Sequence, residues 1–235
     1  VGSTNDEARR LAALGSPDGT VVIAGQQTAG RGRMGRAWHS PEAHGVYLSV
    51  LLRSEAPVEL IGRYALAAAV ATCRACRNTA GSAVGIKWPN DVVADGRKLA
   101  GILAEVRTAG AGVDLVLGIG INVNHGPADF PAELAAHATS LRILRGGPGI
   151  DRVAVAGTLL RALGEEVDAV RRGLWPEIAS RFLAYAPRVS GTAVRLVSGE
   201  RGVTRGLDTT GALKVETAHG VVLVHAGESV APAED

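Results

Sequence analysis

Three guanidinium groups fall within six residues at Gly30-Arg31-Gly-Arg33-Met-Gly35-Arg36, in a stretch without apolar periodicity. Charges this close repel one another unless an anion joins them. A phosphate or acyl-phosphate does so through bidentate hydrogen bonds, and the glycines let the backbone close around such a ligand. The run formally spells G-x-G-x-x-G. That fingerprint holds a pyrophosphate only between a strand and a helix N-terminus, and Ala37-Trp-His-Ser-Pro-Glu-Ala-His-Gly45 opens no helix, so the dinucleotide reading fails. A kinase glycine loop fails for want of any catalytic-loop signature, and no Walker lysine loop is present. A solvated basic turn and an RGG-like RNA tether stay open, although a tether belongs in a long disordered tract and this loop lies between strong strands.

Of the 25 basic residues only Lys87, Lys98 and Lys214 are lysine. Lysine is a compact, mobile point charge where arginine is a planar fork, so a lysine retained in an arginine-rich chain marks a place to look for chemistry. Two of the three flank Gly85-Ile-Lys87-Trp-Pro-Asn90-Asp91 and Lys98-Leu-Ala-Gly101-Ile-Leu-Ala-Glu105. Proline pushes the residue before it out of the helical region, so Trp88-Pro89 reads as extended and leaves Asn90 and Asp91 at a strand end. Asp91 offers a hard oxygen ligand for Mg²⁺, Lys87 a charge for phosphate, and Lys98 stands where a strand can aim it into a pocket. A surface turn with an Asx cap is the plainer alternative. Gly118-Ile-Gly-Ile-Asn122-Val-Asn124 alternates glycine with β-branched residues, which lets a ligand lie against the backbone, but a buried strand bulged at its glycines explains it as well.

Other patterns carry less. Cys73-Arg-Ala-Cys76 has no partner pair and reads as two core cysteines, since zinc wants four ligands. The histidines are scattered, no nucleophile elbow appears, and Glu165-Glu166 reads as solvated helix surface. Net charge is +2 on 235 residues, too small an excess for a bulk nucleic-acid binder, and eight aromatic residues are few for a base-stacking platform. With 46% hydrophobic and 20% charged residues the chain is not disordered. No apolar run reaches the roughly 18 residues of a membrane span. Two cysteines exclude a disulfide framework and argue for a reducing compartment or indifference to redox, no secretory signal is visible, and the expected setting is cytoplasmic.

A length of 235 residues allows one to two domains at roughly 150 residues each. Residues 3–14 read as a helix opened by a capping box at Thr4-Asn-Asp-Glu7, and 20–24 as a buried strand. Further strands are expected at 46–52, 84–88, 99–106 and 113–123, with Pro89 and Gly96 marking a loop between the second and third of these and a long helix at 58–77. Residues 124–149 read as loop with a helical turn near Ala132, followed by helices at 150–171 and 174–185. After Pro187 short β-branched runs at 189–197, 203–207, 212–216 and 221–225 alternate with glycine turns, which predicts a small antiparallel barrel and a boundary between 1–186 and 187–235. Ala231–Asp235 reads as a short tail. The fold class is α+β: a mixed sheet flanked by helices, plus the barrel.

Taken in order, Ser3-Thr4-Asn5, Gln27-Thr-Ala-Gly30-Arg31-Gly-Arg33-Met-Gly-Arg36, Lys87-Trp-Pro-Asn-Asp91, Lys98-Leu-Ala-Gly-Ile-Leu-Ala-Glu105 and Gly120-Ile-Asn-Val123 resemble the biotin–protein ligase family, and the SH3-like barrel fits it. The resemblance covers essentially the whole chain. It implies that Ser3, Thr4, Asn5, Gln27, Gly30, Arg31, Lys98 and Gly101 bind biotin, and that Arg33, Arg36, Trp38, Lys87, Asn90 and Asn122 bind ATP or the adenylate. Asp91 would hold Mg²⁺, and Lys98, Arg33 and Arg31 would be the catalytic cations. The implied reaction makes biotinyl-5′-AMP and passes biotin to a lysine of a biotin carboxyl carrier protein. Many relatives begin with a DNA-binding helix-turn-helix. None is legible from Val1 onward, so the resemblance is to the monofunctional group, and a homodimer is left open. A lipoate-type ligase of the same superfamily and a basic-loop nucleic-acid module are the alternatives.

Overall fold

The computed structural model describes residues 1–81, 83–109, 112–226 and 230–232. The chain opens with helix α1 (Thr4–Ala13), strand β1 (Val21–Ala24), the arginine loop and β2 (Gly45–Ser54). Helix α2 (Gly62–Ala80) leads to β3 (Val84–Lys87), β4 (Asp91–Ala94), β5 (Arg97–Ala109) and β6 (Gly112–Asn122). Short helices α3 (Ala132–Ala135) and α4 (Leu141–Arg145) precede the long α5 (Arg152–Arg171) and α6 (Trp175–Tyr185). A 3-10 turn at Pro187–Val189 enters β7 (Ser190–Leu196), β8 (Arg201–Leu207), β9 (Leu213–Thr217), β10 (Gly220–Val224) and β11 (Val230–Pro232). The last three residues of the tail expected at Ala231–Asp235 lie outside the described residues.

The main sheet has the order β1-β2-β6-β5-β4-β3, and every pairing in it is antiparallel. The sequence led us to expect a mixed sheet. Short connections permit only antiparallel neighbours along β3, β4, β5 and β6, and among the described residues the one isolated parallel bridge joins Lys98 to Ala138. Period-2 alternation divides the sheet's two faces. Val46, Leu48, Val50 and Leu52 of β2, with Leu115, Leu117, Ile119 and Ile121 of β6, join the core beneath α2. The alanines of α2 (Ala67, Ala68, Ala69, Ala71 and Ala75 all fully buried) let helix and sheet approach closely, and α5 and α6 cover that helix. The opposite face, with Gly118, Gly120 and Asn122 of β6, carries α1 and the loops.

Several local expectations are corrected. β1 is not buried: as the outermost strand it leaves Val21 and Ile23 exposed. α1 has no capping box, because Ser3 is its N-cap without a side-chain cap bond and the Thr4 hydroxyl is committed elsewhere. β6 pairs in unbroken register on both sides, so its glycines make no bulge; the bulge lies at Val92/Val93. β4 falls where the sequence suggested a loop. Its hairpin with β5 turns at Asp95 (φ 50°) and Gly96 (φ 73°), the left-handed pair that a type I′ turn requires. The Trp88–Pro89 peptide is cis. Finally, Glu166 is 1% exposed rather than solvated.

The C-terminal strands form a five-stranded antiparallel sheet of order β10-β9-β8-β7-β11. Its apolar side (Val194, Leu213, Val215 and Val224) belongs to the same hydrophobic cluster as Ile86 and Phe182 of the main body. The turn between β8 and β9 is gripped by polar bonds. Trp88 and Trp175 donate their indole N–H groups to Gly211 and Asp208 carbonyls at 3.4 and 3.2 Å, and Arg63 Nε donates to the Thr209 carbonyl at 2.8 Å. Among the described residues no helix is long and apolar enough to cross a membrane.

Candidate active site

Strand register builds the floor of the site. Gly120 of β6 stands opposite Gly101 of β5, Gly101 opposite Asp91 of β4, and Asp91 opposite Lys87 of β3. This row crosses four strands and runs from two residues without side chains to two of opposite charge. Above it lies a cavity of about 680 Å³. The glycines are needed for close approach: a Cβ on Gly120 would sit 2.4 Å from the indole nitrogen of Trp38, and one on Gly101 would sit 3.1 Å from both Trp38 and the Lys98 stem. A Cβ on Gly118 would collide with Asn5.

Lys98 lies over this floor. Its Nζ is 2.6 Å from Asp91 Oδ1 and 5.4 Å from the centroid of the Trp38 ring. The backbone around it is fixed by the segment before α4, because Lys98 N–H donates to the His137 carbonyl at 2.7 Å and Thr139 N–H donates to the Lys98 carbonyl at 2.9 Å. Asn122 Nδ2 holds that segment through the Thr139 carbonyl at 3.0 Å.

One end of the cavity is a polar network under α1. The backbone N–H of Thr4 donates to Gln27 Oε1 at 2.8 Å, Gln27 Nε2 donates to Ser40 Oγ at 3.0 Å, and Ser49 Oγ lies 2.8 Å from Thr4 Oγ1 and 2.6 Å from Asn5 Oδ1. Ser3, Thr4 and Asn5 are all buried. The other end is cationic, lined by Arg33, Arg36, Lys87 and Arg188.

The three loop arginines do not converge on one point. Arg33 is half-buried and its Nη1 donates to Asn90 Oδ1 at 2.7 Å, while burial depresses its pKa. Arg31 turns the other way and pairs with Asp6 of α1. Arg36 is exposed at the rim. Every residue to which the resemblance assigned a binding, metal or catalytic role lines the cavity except Gly30, which lies beneath the loop where a Cβ would strike the Trp38 carbonyl, Ser40 and Gln27. Lys98 and Arg31 share the hollow rather than standing on opposite faces.

A family model for the biotin/lipoate A/B protein ligase family matches residues 3–122, just over half of the chain. The chain belongs to that family. Within it, the chain is 38% identical over 232 residues to the bifunctional ligase/repressor BirA of Bacillus subtilis (strain 168), covering 97% of this chain and 71% of that protein. It is 38% identical over 238 residues to a biotin–[acetyl-CoA-carboxylase] ligase of Mycobacterium tuberculosis, covering 98% and 86%. Among solved structures, the biotin protein ligase of Aquifex aeolicus in complex with biotin and ATP superposes with a TM-score of 0.82 at 28% identity, covering 98% of this chain and 95% of that one.

Several residues at the site of this biotin/lipoate ligase family member escaped the sequence reading. Ser49 is the one small polar residue in the apolar and aromatic run Val46–Leu52, a signal that was available. Phe130, Leu134, His137 and Ala138 line the cavity from a stretch that read as loop, Arg188 reaches it from the 3-10 turn before β7, and Thr192 and Thr204 reach it from the C-terminal sheet.

Beside the cavity, His125 is fully buried and neither ring nitrogen has a hydrogen-bond partner; it stacks on Phe130 at 4.8 Å, with His39, His44 and Asp129 around it. Burial, then the neighbouring His44 and His39, push its pKa down to about 4, against the partial opposition of Asp129. The unfolded chain therefore binds a proton near pH 6.5 that the folded chain refuses until about pH 4, and stability falls as pH drops through that window. The expected loss is about 2–3 kcal/mol, read by urea unfolding at successive pH values. His125→Leu should flatten the dependence; an unchanged slope would refute it.

Proposed function

We propose that this chain is an ATP-dependent biotin–protein ligase. It activates biotin as biotinyl-5′-AMP and transfers it to a lysine of a biotin carboxyl carrier protein, the subunit of acetyl-CoA carboxylase or a related carboxylase. The observation that carries the reading is the glycine-to-charge row Gly120–Gly101–Asp91–Lys87 with Lys98 folded across it. The glycine end of the row seats the Trp38 ring, the other end presents charge, and the cavity continues from there into further positive charge.

The chemistry follows from charge. A carboxylate and a triphosphate repel each other, so attack of the carboxylate oxygen on the α-phosphorus, with pyrophosphate leaving, needs positive charge at both reactants. Lys98 would neutralise the carboxylate and the α-phosphate, while Arg33, Arg36 and Lys87 would take the rest of the triphosphate. Trp38 and the loop would cover the mixed anhydride, which water otherwise hydrolyses. The acceptor lysine then attacks the acyl carbon and AMP departs. Mg²⁺ typically binds through one or two carboxylates plus substrate phosphates, and Asp91 supplies one such carboxylate. The ion would be one carried in on the nucleotide and met there by Asp91. Its contribution is to screen phosphate charge. We assign 1–186 to the catalytic unit and 187–235 to the C-terminal one, and the setting to the cytoplasm.

The polar end favours biotin over lipoate. Thr4, Asn5, Gln27 and Ser49 gather donors and acceptors in one place, which suits a ureido group that is both; a dithiolane has no comparable donor or acceptor to offer them. A nucleic-acid module is disfavoured because Arg31 and Arg33 are engaged within the protein. The deciding measurement is ATP–pyrophosphate exchange with biotin and lipoate side by side. Biotin-dependent exchange is expected, and exchange that responds only to lipoate, or to neither, would overturn the proposal.

A further inference from the structure

We propose that Asp6, with Glu105 beside it, is a latch that holds the arginine loop shut over the cavity, and that Arg31 is its bolt rather than a ligand of the phosphates. The loop is a small hairpin. Gly32 N–H donates to the Arg36 carbonyl at 2.7 Å, Trp38 N–H donates to the Gly30 carbonyl at 2.9 Å, Arg31 bridges to Ala37, and Met34 (φ 56°) with Gly35 (φ 72°) makes the tip. Rigid within itself, such a hairpin opens or closes as a unit. What matters is then what ties it to the body.

Trp38 packs on the floor at Gly120 and Gly101, and two charged side chains supply the polar ties. Arg33 reaches Asn90 at the cavity, as described above. Arg31 leaves the hairpin on the other side and meets Asp6 with both ends of its fork, Nη1 to Oδ2 and Nη2 to Oδ1, each at 2.7 Å. Its Nη2 also lies 3.6 Å from Glu105 Oε1. Glu105 is itself held, accepting from Asn5 Nδ2 at 2.7 Å, and Arg9 joins the cluster by pairing with Asp6 and approaching Glu105 at 3.5 Å. Helix α1, strand β5 and the hairpin thus meet at one ion-pair network.

Isolated surface ion pairs contribute little, but a bidentate arginine–carboxylate pair inside a network is the recognised exception. The two hydrogen bonds from Arg31 hold the Asp6 pKa down to about 2, so the latch stays charged throughout the neutral range. The sign is that of a depressed carboxylate: the contribution is present above the ordinary value of 3.8 and is lost only as pH falls through about 2.

The adenylate-retention part of this proposal rests on the ligase reading; the latch itself does not. Limited trypsinolysis separates them, since cleavage at Arg36–Ala37 reports hairpin opening whatever the chain catalyses. Asp6→Asn should speed that cleavage by about 3- to 10-fold, the size expected for a networked bidentate pair, with thermal stability unchanged. Asp6→Arg combined with Arg31→Asp should recover part of the protection that either single variant loses. In parallel, Asp6→Asn should raise labelling of bystander lysines in the presence of biotin and ATP, while biotin-dependent exchange stays near wild type. Unchanged cleavage, or an equal loss in the charge-swapped double variant, would overturn the latch. Faster cleavage without any biotin-dependent exchange in the parent protein would leave the latch standing and sink the ligase reading.

Discussion

Lys98→Ala is expected to lower biotin-dependent pyrophosphate exchange by on the order of 10²- to 10³-fold, the usual effect of removing a charge that stabilises a transition state in a sheltered site. The fold should survive. Lys98 holds its strand through backbone bonds to His137 and Thr139, and those are untouched by truncating the side chain. Asp91 loses a partner at 2.6 Å, but its side chain keeps 26% of its exposure and can turn to water. The melting temperature should therefore move by no more than a few degrees. Lys98→Arg should rescue little, because the stem passes over Gly101 beneath Trp38, where contacts are already close, and a planar fork presents its charge further out than a compact ammonium. A well-folded Lys98→Ala protein that exchanges pyrophosphate at more than about a tenth of the parental rate would remove Lys98 from the chemistry.

Why these positions were legible and others were not has a physical basis. The cavity's charged and glycine positions sit in contiguous runs whose residue types are odd for their surroundings: lysines in an arginine-rich chain, glycines alternating in an apolar strand, arginines between glycines. Such local oddity shows in a linear sequence. Asp6 does not, because an acidic residue in a helix's first turn is ordinary, and only the fold brings Arg31 to it across 25 residues. The segment at His137–Thr139 was opaque for a similar reason: what it does is carried by backbone groups, which any residue possesses. β4 was readable in principle. Asp95-Gly96 flanked by Val92-Val93-Ala94 and Leu99-Ala100 is a strong short-range hairpin signal, and weighting Trp88-Pro89 and Gly96 as loop markers concealed it. The glycines of β6 misled in the opposite direction. They looked like the source of an irregularity, yet the strand is regular and the space they leave is filled by Trp38 and Asn5.

Glu166→Ala should be the most destabilising single change outside the main hydrophobic core, at about 3 kcal/mol or roughly a 10 °C loss in melting temperature. Two adjacent glutamates on α5 look interchangeable in the sequence, but successive residues on a helix point about 100° apart. Glu165 faces solvent, whereas Glu166 is 1% exposed at the meeting of three helices. Its Oε1 accepts from Arg74 Nη1 of α2 and from Arg181 Nε of α6, both at 3.0 Å, and its Oε2 accepts from Arg181 Nη2 at 2.7 Å. One carboxylate thus sets the register of α5 against both neighbours. Breaking a buried pair is costly because it strands the remaining charge, and the figure sits at the low end of that range since Arg74 and Arg181 each keep about a third of their exposure and Arg74 retains Glu165 at 2.7 Å. Glu165→Ala should cost less than about 0.5 kcal/mol. Because α2 backs the strands that carry the glycine row, Glu166→Ala should also broaden the unfolding transition without altering the KM for biotin in the protein that remains folded. Equal melting temperatures for the Glu165 and Glu166 variants would show that the buried carboxylate does not tie the helices together.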